Sequence, residues 1–574
     1  MKIIKLFFIL IGLALASGVS ASDVSYSIIN TTSTTTNSFS FSINTILKRV
    51  TYDCDLNSYS CLQTKEQVNA RLENPLQLVT LEFLDEKEKN KATTTPVVVT
   101  QTSVSKKEDL VFGGKVIPTD ARFLTYSPDG KKLAYFRSDN TMIKTFKSFV
   151  VVFDDGKTLE KFASNGPWEL VTDVYRMFGF TSDGKKIVYT DDRDGSSKLY
   201  LVDFDKSPKN LTGEALILKK YTVLDFVVSG NSVYFIANRA SLYNWGLYEL
   251  DLDTRKLKTV SADVMYTNGL ALVNDNIVFT ENNKGQGKIK AYNLKENLVK
   301  DFSGVSQESV ENLPYKIINN KNIRGVLYSP KQGTSVKKAV IWLHGGPYRQ
   351  TSPDKHSYGS YATFDWILDE LVKSGVTVLK LDYPGSMGQG TAYTNSIVGR
   401  IGDVDVKNVS LAVDYVKSLG VRDVYLFGNS YGGYLSIKSL VELGTKVSGS
   451  VAVAPVTDWK KLIDDVSPTP FEVHFRGIYG QNNKSLYEKS SIVKNLSKLN
   501  KPLYVFHGDL DKQVPFSQSE YLFKEALKAG KNIEYYSVKN QAHVINGVSQ
   551  NEAICSKLSE MLSLSTTTEF CVMN

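Results

Sequence analysis

The sequence is poor in the residues that bind metals and build redox sites. Its 574 residues include five histidines and four cysteines, and no Cys-x-x-Cys pair occurs. Because that spacing is typical of zinc and redox sites, we expect neither a metal nor a cofactor. The formal net charge is only +8, from 68 basic and 60 acidic residues. A nucleic-acid-binding domain usually carries a clear basic excess, so we expect no nucleic-acid partner.

Long apolar runs are confined to the amino end. Residues 6–16 are almost wholly apolar and follow a short basic start. Val19-Ser20-Ala21 then has the small-residue pattern of a signal-peptidase site. The run is short for a bilayer span. We therefore interpret residues 1–21 as a cleaved signal peptide, with an uncleaved anchor as the alternative. This predicts a secreted or lumenal protein with no membrane partner.

The four cysteines fit an oxidising compartment. Cys54 lies close to Cys61 in sequence, and Cys555 lies close to Cys571. Four cysteines allow three connectivities, of which two local bridges are the simplest. Free buried thiols are the alternative. Five sequons could carry glycans, at Asn30, Asn210, Asn408, Asn483 and Asn495.

The first half of the chain repeats a hairpin pattern. Two short strands flank a tight Asp-Gly, Gly-Asn or similar turn. The copies lie at residues 123–135, 178–189, 226–235 and 270–279. Their spacing of about 50 residues suggests four-stranded blades, so we predict a β-propeller over residues 22–313. A β-sandwich is the alternative. The polar composition of residues 22–45 predicts a partly disordered start.

The second half alternates apolar strands with amphipathic helices. This order predicts a mostly parallel, doubly wound sheet over residues 314–574, covered by helices on both faces. Active sites in such sheets lie beyond the carboxyl ends of the strands. Catalytic residues are therefore expected at the ends of the apolar runs.

One such end carries Gly428-Asn429-Ser430-Tyr431-Gly432. A strand-forming run precedes it and a helical segment follows it. Strand, G-x-S-x-G and helix in that order form the nucleophile elbow of α/β-hydrolases. The pentapeptide alone is weak evidence, but its context makes Ser430 the candidate nucleophile. The amide N–H of Tyr431, the next residue, is then one oxyanion donor.

A serine nucleophile needs a base and a carboxylate that orients the base. In α/β-hydrolases these follow the serine in the order Asp or Glu, then His. His543 is the histidine that follows the last strand, after a strand end that carries carboxylates. Those carboxylates are Asp509 and Asp511, and spacing alone does not choose between them.

Five motifs of the second half together resemble the prolyl oligopeptidase family of serine peptidases, in its acylaminoacyl-peptidase and fifth-type dipeptidyl-peptidase branch. They are His-Gly-Gly-Pro at 344–347, Asp-Tyr-x-Gly-Ser at 382–386, Gly-x-Ser-Tyr-Gly-Gly-Tyr at 428–434, Ala-Pro-Val-Thr-Asp-Trp at 454–459 and His-Gly-x-x-Asp-x-x-Val-Pro at 507–515. The resemblance implies an amino-terminal propeller, selects Asp511 as the triad carboxylate, and implies a second oxyanion donor at Gly346 with His344 as a helper.

The resemblance also implies a substrate pocket lined by Trp459, Leu462 and Val514 beside Tyr431. All are apolar or aromatic, so we expect an uncharged side chain before the cleaved bond. The predicted function is a secreted serine peptidase that releases small amino-terminal fragments from short peptides, as dipeptidyl- or acylaminoacyl-peptidases do. An esterase or lipase and an inactive hydrolase-fold binding protein are the alternatives. The sequence leaves a homo-oligomer open.

Overall fold

The structure is a computed structural model, and it describes most of the chain. The described residues are 25–29, 38–44, 48–68, 76–79, 110–118, 121–138, 146–162, 178–191, 196–206, 211, 213–216, 222–264, 270–283, 286–305, 313–353, 359–466, 484–564 and 570–573. The predicted signal peptide and the sequons at Asn30, Asn210 and Asn483 lie outside them.

The described residues of the amino-terminal domain form five four-stranded antiparallel units, of which the last two are joined into one eight-stranded sheet by the pairing of Val264 with Glu281. Their strands are β1 (Ser25–Ile29), β2 (Ser38–Asn44), β3 (Lys48–Asp55) and β4 (Ser60–Val68); β8 (Ala121–Tyr126), β9 (Lys132–Ser138), β10 (Phe146–Phe153) and β11 (Thr158–Phe162); β12 (Phe178–Phe180), β13 (Lys186–Asp191), β14 (Lys198–Asp203) and β15 (Glu214–Ala215); β16 (Val223–Ser229), β17 (Ser232–Ser241), β18 (Asn244–Asp251) and β19 (Leu257–Val264); and β20 (Ala271–Val273), β21 (Asn276–Asn283), β22 (Gln286–Asn293) and β23 (Leu298–Asp301). A ribbon of β6 (Val111–Phe112) and β7 (Lys115–Val116) precedes the second unit.

These units form the predicted β-propeller. Each of the four predicted hairpins is present, as the first strand pair of units two to five. Apolar clusters join neighbouring units, and one of them joins the fifth unit to the first. The Cys61 N–H donates to the Ser303 carbonyl at 2.8 Å across that junction. The composition of residues 22–45 suggested little regular structure, whereas β1 and β2 are strands.

The carboxyl-terminal domain is an α/β-hydrolase. Its sheet runs in the order β24, β25, β27, β26, β28, β29, β30, β31 and β5, and the pairs from β27 to β31 are parallel. These strands are β5 (Leu76–Leu78), β24 (Tyr315–Asn319), β25 (Arg324–Tyr328), β26 (Lys338–Leu343), β27 (Thr377–Leu381), β28 (Asp423–Asn429), β29 (Gly449–Val453), β30 (Leu503–Gly508) and β31 (Glu534–Val538).

Helices cover this sheet. They are α1 (Gly359–Lys373), α2 (Thr391–Asn395), α3 (Val404–Ser418), α4 (Tyr431–Leu443), α5 (Trp459–Val466), α6 (Lys484–Ser490), α7 (Ser517–Lys528) and α8 (Val548–Met561), with 3₁₀ turns at Gly444–Lys446 and Val493–Lys498. The buried residues of α3 include Val406, Val409, Val413 and Val416. Among the described residues, no helix is long and apolar enough to cross a membrane.

Strand β5 was not expected in this sheet. Sequence analysis assigned its residues to the propeller domain, but β5 pairs antiparallel with β31. The Val79 N–H extends the pairing by donating to the Tyr535 carbonyl at 2.7 Å. A three-residue edge strand has too few residues to show a periodicity, so its partner cannot be read from the local pattern.

The cysteines form the two predicted local disulfides, Cys54–Cys61 and Cys555–Cys571. One sequon is unsuited to glycosylation in the folded protein. Asn408 is buried, and its amide donates to the Asn322 carbonyl at 2.7 Å. The sequence pattern could not show that this asparagine lies on the inner part of α3.

Replacing both cysteines of a bridge by serine should destabilise the protein more for the bridge that closes the longer loop. Cys555 and Cys571 are 16 residues apart, and Cys54 and Cys61 are 7 apart. Loop-closure entropy then gives losses of about 3 and about 2 kcal/mol, respectively. Urea unfolding of the two double variants, followed by tryptophan fluorescence, measures both. A larger loss for the Cys54/Cys61 variant would contradict the expectation.

Candidate active site

The nucleophile elbow has the geometry that its glycines allow. Ser430 joins β28 to α4 with φ 56° and ψ −118°, a conformation that is strained for a residue with a side chain. A Cβ on Gly432 would collide with the Leu343 and His344 carbonyl oxygens at the end of β26. A Cβ on Gly428 would collide with the Gly432 carbonyl. The two glycines therefore let the turn lie directly against the neighbouring strand.

Backbone hydrogen bonds fix Ser430 at this edge. Its N–H donates to the Val453 carbonyl at 2.8 Å, and its carbonyl accepts from the Tyr434 N–H at 2.9 Å. The Ser430 side chain is half-buried. Tyr431 is the first residue of α4, where amide N–H groups have no partner within the helix.

The next strand ends bring an aspartate and a histidine together. The His543 Nδ1 lies 2.7 Å from the Asp511 Oδ2. The other oxygen, Oδ1, accepts the N–H groups of Gln513 and Val514 at 2.9 and 3.0 Å. This carboxylate therefore fixes the orientation of the imidazole. Of the two aspartates left open by spacing, Asp511 makes this contact, and Asp509 instead donates its backbone N–H to Val538.

The environment of Asp511 favours its ionised form. Burial alone would raise the pKa of this carboxyl, but the interactions with His543 and His507 outweigh it and hold the pKa well below its usual range. Asp511 is thus an ionised, buried acceptor for a histidine N–H.

His507, the last residue but one of β30, is a second histidine beside Asp511. Its Nε2 lies 2.9 Å from the Val514 carbonyl and 3.2 Å from the Asp511 Oδ2. Two oxygen acceptors face this nitrogen, so it carries the proton. The Nδ1 then accepts from the Ser519 hydroxyl at 2.7 Å. His507 thus closes the turn that presents Asp511.

The loop after β26 carries the other predicted oxyanion residues. Gly346 has φ 118°, and a Cβ there would lie 2.7 Å from the Tyr348 nitrogen. The His344 side chain is buried, with Nδ1 2.8 Å from the Gly345 carbonyl oxygen and Nε2 2.8 Å from the Ser386 Oγ. Both ring nitrogens are engaged within the protein. His344 thus supports this loop, and its role as a helper of the oxyanion hole stays a prediction.

The predicted pocket residues are core residues here. Trp459, Leu462 and Val514 each expose 0% of their surface. The Trp459 ring packs against the rings of Tyr431 and Tyr434, with centroids 5.7 and 5.2 Å apart. In this structure the three side chains pack in the core, and their role as the lining of a substrate pocket stays a prediction. These apolar side chains pack behind the elbow. A sequence cannot distinguish an apolar core residue from an apolar residue that lines a pocket.

Tyr431 is anchored by a residue that no motif indicated. Its hydroxyl donates to the Asp405 Oδ2 at 2.6 Å, and both groups are buried. Burial raises the pKa of the Asp405 carboxyl. Burial and the nearby Asp405 together raise the pKa of the Tyr431 hydroxyl well above its usual value. The first residue of α4 is thus tied to the first turn of α3.

Comparison with known proteins agrees with this geometry. Residues 362–563 match the model of the prolyl oligopeptidase family, and residues 150–280 match that of the dipeptidyl peptidase IV N-terminal region. The hydrolase domain belongs to the prolyl oligopeptidase family.

Two curated relatives show the extent of this similarity. The chain is 25% identical over 227 residues to the acylamino-acid-releasing enzyme of Arabidopsis thaliana, covering 38% of this chain and 28% of that protein. It is 26% identical over 229 residues to human dipeptidyl peptidase 8, covering 38% of this chain and 24% of that protein. The matched region thus spans about a quarter of each relative.

The two-domain architecture is shared more widely than the sequence. A puromycin-hydrolyzing peptidase of Mycobacterium tuberculosis superimposes with a TM-score of 0.65 at 14% identity, over 95% of this chain and 86% of that one. At this identity the likeness concerns the fold alone.

Hydrogen bonds within residues 507–515 show what the residues of the family motif do in this chain. Its first residue, His507, donates to the carbonyl of Val514, and the Val514 N–H donates to Asp511. The histidine, aspartate and valine of the prolyl oligopeptidase motif thus form one closed turn. Gly508, the glycine of this motif, has no side chain, so the Gln541 and Ala542 carbonyls can pack against it. These two residues directly precede His543.

Adding a methyl group at the elbow should reduce activity in proportion to the collision it creates. Gly432→Ala must push the elbow away from the β26 backbone, while a Cβ on Gly433 would lie 2.9 Å from the Val453 carbonyl oxygen. A displacement of about 1 Å can cost about 10²-fold in rate, so Gly432→Ala should lose at least that much and Gly433→Ala less. Turnover and thermal unfolding of both variants measure this order. The reverse order would contradict the close approach.

The low pKa of Asp511 predicts an acid-dependent loss of stability. An unfolded aspartate takes up a proton near pH 4, but the folded Asp511 stays ionised to lower pH. The unfolded state therefore binds more protons below about pH 4, and this stabilisation, complete above that pH, falls as the pH falls. Unfolding of the wild type should thus depend more steeply on pH there than that of Asp511→Asn. Urea midpoints from pH 2.5 to 6 measure the two slopes, and equal slopes would contradict the assignment.

Proposed function

We propose that this chain is a serine peptidase that hydrolyses short peptides through an acyl-enzyme. The observation that carries the proposal is the 2.7 Å contact between His543 and Asp511, at the same sheet edge as the strained Ser430. A hydroxyl on an elbow, an imidazole and an ionised carboxylate are the components of acyl-transfer catalysis.

The proposed steps assign one role to each side chain. The Ser430 hydroxyl attacks the scissile carbonyl while His543 Nε2 takes its proton, and the imidazolium returns that proton to the leaving amine. Asp511 accepts from Nδ1, so it holds Nε2 as the basic nitrogen and stabilises the imidazolium. Water then attacks the acyl-enzyme carbonyl while His543 takes its proton, and the imidazolium returns that proton to the Ser430 oxygen as the carboxylic acid product leaves.

The proposed oxyanion hole uses two backbone amides. The Tyr431 N–H is free of helix pairing by its position at the start of α4. The Gly346 N–H belongs to the loop that His344 supports, and Gly346 is half-buried. Loss of one such donor typically costs about 3 kcal/mol of barrier lowering.

Substrate size is proposed to be limited by the propeller. The hairpin between β17 and β18 meets the hydrolase beside the loop after β26, where the Gln350 amide donates to the Leu242 carbonyl at 3.0 Å. A propeller in contact at the catalytic edge restricts access to extended peptides. Release of small amino-terminal fragments, as the relatives' names suggest, is part of this proposal. Since Trp459, Leu462 and Val514 are core residues, we propose no side-chain preference from them.

Export from the cytoplasm is proposed from the disulfides. Both cysteine pairs are bridged in the described chain, and structural disulfides persist in oxidising compartments. The predicted signal peptide over residues 1–21 agrees with that compartment.

The decisive variants are three. Ser430→Ala should reduce peptide turnover by about 10⁴- to 10⁶-fold without unfolding the protein. Asp511→Asn should lose about 10⁴-fold, since it removes the ionised acceptor of His543. The matched control Asp509→Asn should keep most activity. Steady-state hydrolysis of a short-peptide library, read by mass spectrometry, measures all three, and a reversed order of the two aspartate variants would refute the assignment of Asp511.

The substrates in the same assay separate the alternatives. Ester cleavage without peptide cleavage would favour an esterase or lipase. A fluorophosphonate probe that fails to label Ser430 would favour an inactive binding protein. Rapid digestion of native globular proteins would refute the limit on substrate size.

A further inference from the structure

A buried hydrogen bond connects the propeller to the loop of the proposed oxyanion hole. Leu242 and Tyr243 form the two-residue turn between β17 and β18, whose end residues Ser241 and Asn244 pair. The Tyr243 hydroxyl donates to the Asp382 Oδ2 at 2.6 Å. Tyr243 exposes 5% of its surface and Asp382 exposes 0%. A propeller side chain thus reaches an interior carboxylate of the hydrolase.

Asp382 lies where the two domains and the active-site loops meet. It follows β27 directly, and its Oδ1 accepts the Thr351 N–H at 2.8 Å. The same Oδ1 lies 3.5 Å from the His344 Nε2. The two oxygens of this carboxylate are therefore held from different domains, one from the loop after β26 and one from Tyr243.

His344 transmits this arrangement to the backbone. Its Nε2 contacts the Ser386 Oγ, and its Nδ1 contacts the Gly345 carbonyl oxygen, each at 2.8 Å. The Gly345 carbonyl and the Gly346 N–H belong to one planar peptide unit, in which they point in opposite directions. The imidazole therefore sets the direction of the Gly346 N–H.

The aromatic stack beside this ring leaves it little freedom. The Tyr383 ring lies parallel to the His344 ring with centroids 4.5 Å apart, and its hydroxyl donates to the His344 carbonyl at 2.6 Å. Tyr383 also stacks on Tyr431, with ring centroids 5.7 Å apart. The ring can therefore respond to a change at Asp382 chiefly by changing its polar contacts.

We infer that Tyr243 is a positioning residue for the oxyanion hole, and that the propeller in this way completes the catalytic geometry of the hydrolase. The inference rests on the proposed function, because it concerns the Gly346 N–H as a donor. Loss of the hydroxyl leaves the buried Asp382 Oδ2 without this hydrogen bond. The buried carboxylate then interacts more strongly with its remaining neighbours. His344 is the neighbour that also holds the Gly345–Gly346 peptide.

The test is Tyr243→Phe, which removes one hydroxyl and keeps the ring. The matched control is Tyr189→Phe, because the buried Tyr189 hydroxyl donates to the Leu211 carbonyl at 2.9 Å within the propeller. Both variants lose one buried hydrogen bond, and Tyr243→Phe should lower the melting temperature at least as much as the control because its acceptor is a carboxylate. Only Tyr243→Phe should lower kcat, by about 10- to 100-fold, with KM within about threefold of the wild type.

A peptidyl aldehyde supplies a readout that depends on the oxyanion. Its hemiacetal with Ser430 places an oxyanion in the hole, so Tyr243→Phe should weaken its inhibition by about the same factor as kcat. Peptide binding to proteins that also carry Ser430→Ala should be unchanged. A variant at Tyr243 that matches Tyr189→Phe in kcat and aldehyde inhibition would overturn the inference, and so would a raised KM with unchanged kcat.

A second variant covers a failure of Tyr243→Phe to fold. Asp382→Asn keeps the shape of the side chain but removes its charge, and it should give the same fall in kcat with an unchanged KM. A wild-type kcat in this variant would overturn the inference. Absence of Ser430-dependent turnover in the wild type would instead refute the proposed function itself, so the two failures are distinguishable.

Discussion

The close approach of two backbones at the elbow determines the rest of the catalytic edge. The turn at Ser430 lies against the Leu343 and His344 carbonyls, an approach that only a glycine at position 432 permits. This contact joins the start of α4 to the end of β26. The nucleophile and the loop after β26 therefore form one rigid unit, and the strained φ of Ser430 is maintained by the packing around it.

Around that unit, buried polar groups form hydrogen-bonded pairs. Tyr431 donates to Asp405, Tyr383 donates to the His344 carbonyl, and Tyr243 donates to Asp382. Each pair would be costly to break, since a buried donor or acceptor without a partner loses its hydration. Such pairs add little to the net free energy of folding, but they restrict the loops to a single conformation. Catalytic geometry depends on that uniqueness more than on the number of contacts.

The sequence predicted what has a local signature and missed what depends on packing. The elbow and the hairpins follow from glycine positions and strand periodicity, and both are present. The resemblance selected Asp511, which contacts His543 here. In contrast, the resemblance implied a pocket lined by Trp459 and Leu462, whereas both side chains pack in the core of this structure. Hydrophobicity does not tell whether a side chain faces a cavity or another side chain. The contact between the His344 ring and Ser386 joins residues 42 positions apart, which no local pattern reveals.

Strand β5 shows why the two domains are interdependent. It lies in the chain between the first and second propeller units, yet it pairs with β31, the strand that leads to His543. An unpaired edge strand exposes backbone donors and acceptors, so β5 protects that edge of the hydrolase sheet. The hydrolase is thus held at one sheet edge by a segment that precedes most of the propeller, and near the elbow by Tyr243. Two attachments on different sides of the hydrolase restrict rotation between the domains more than a single linker would.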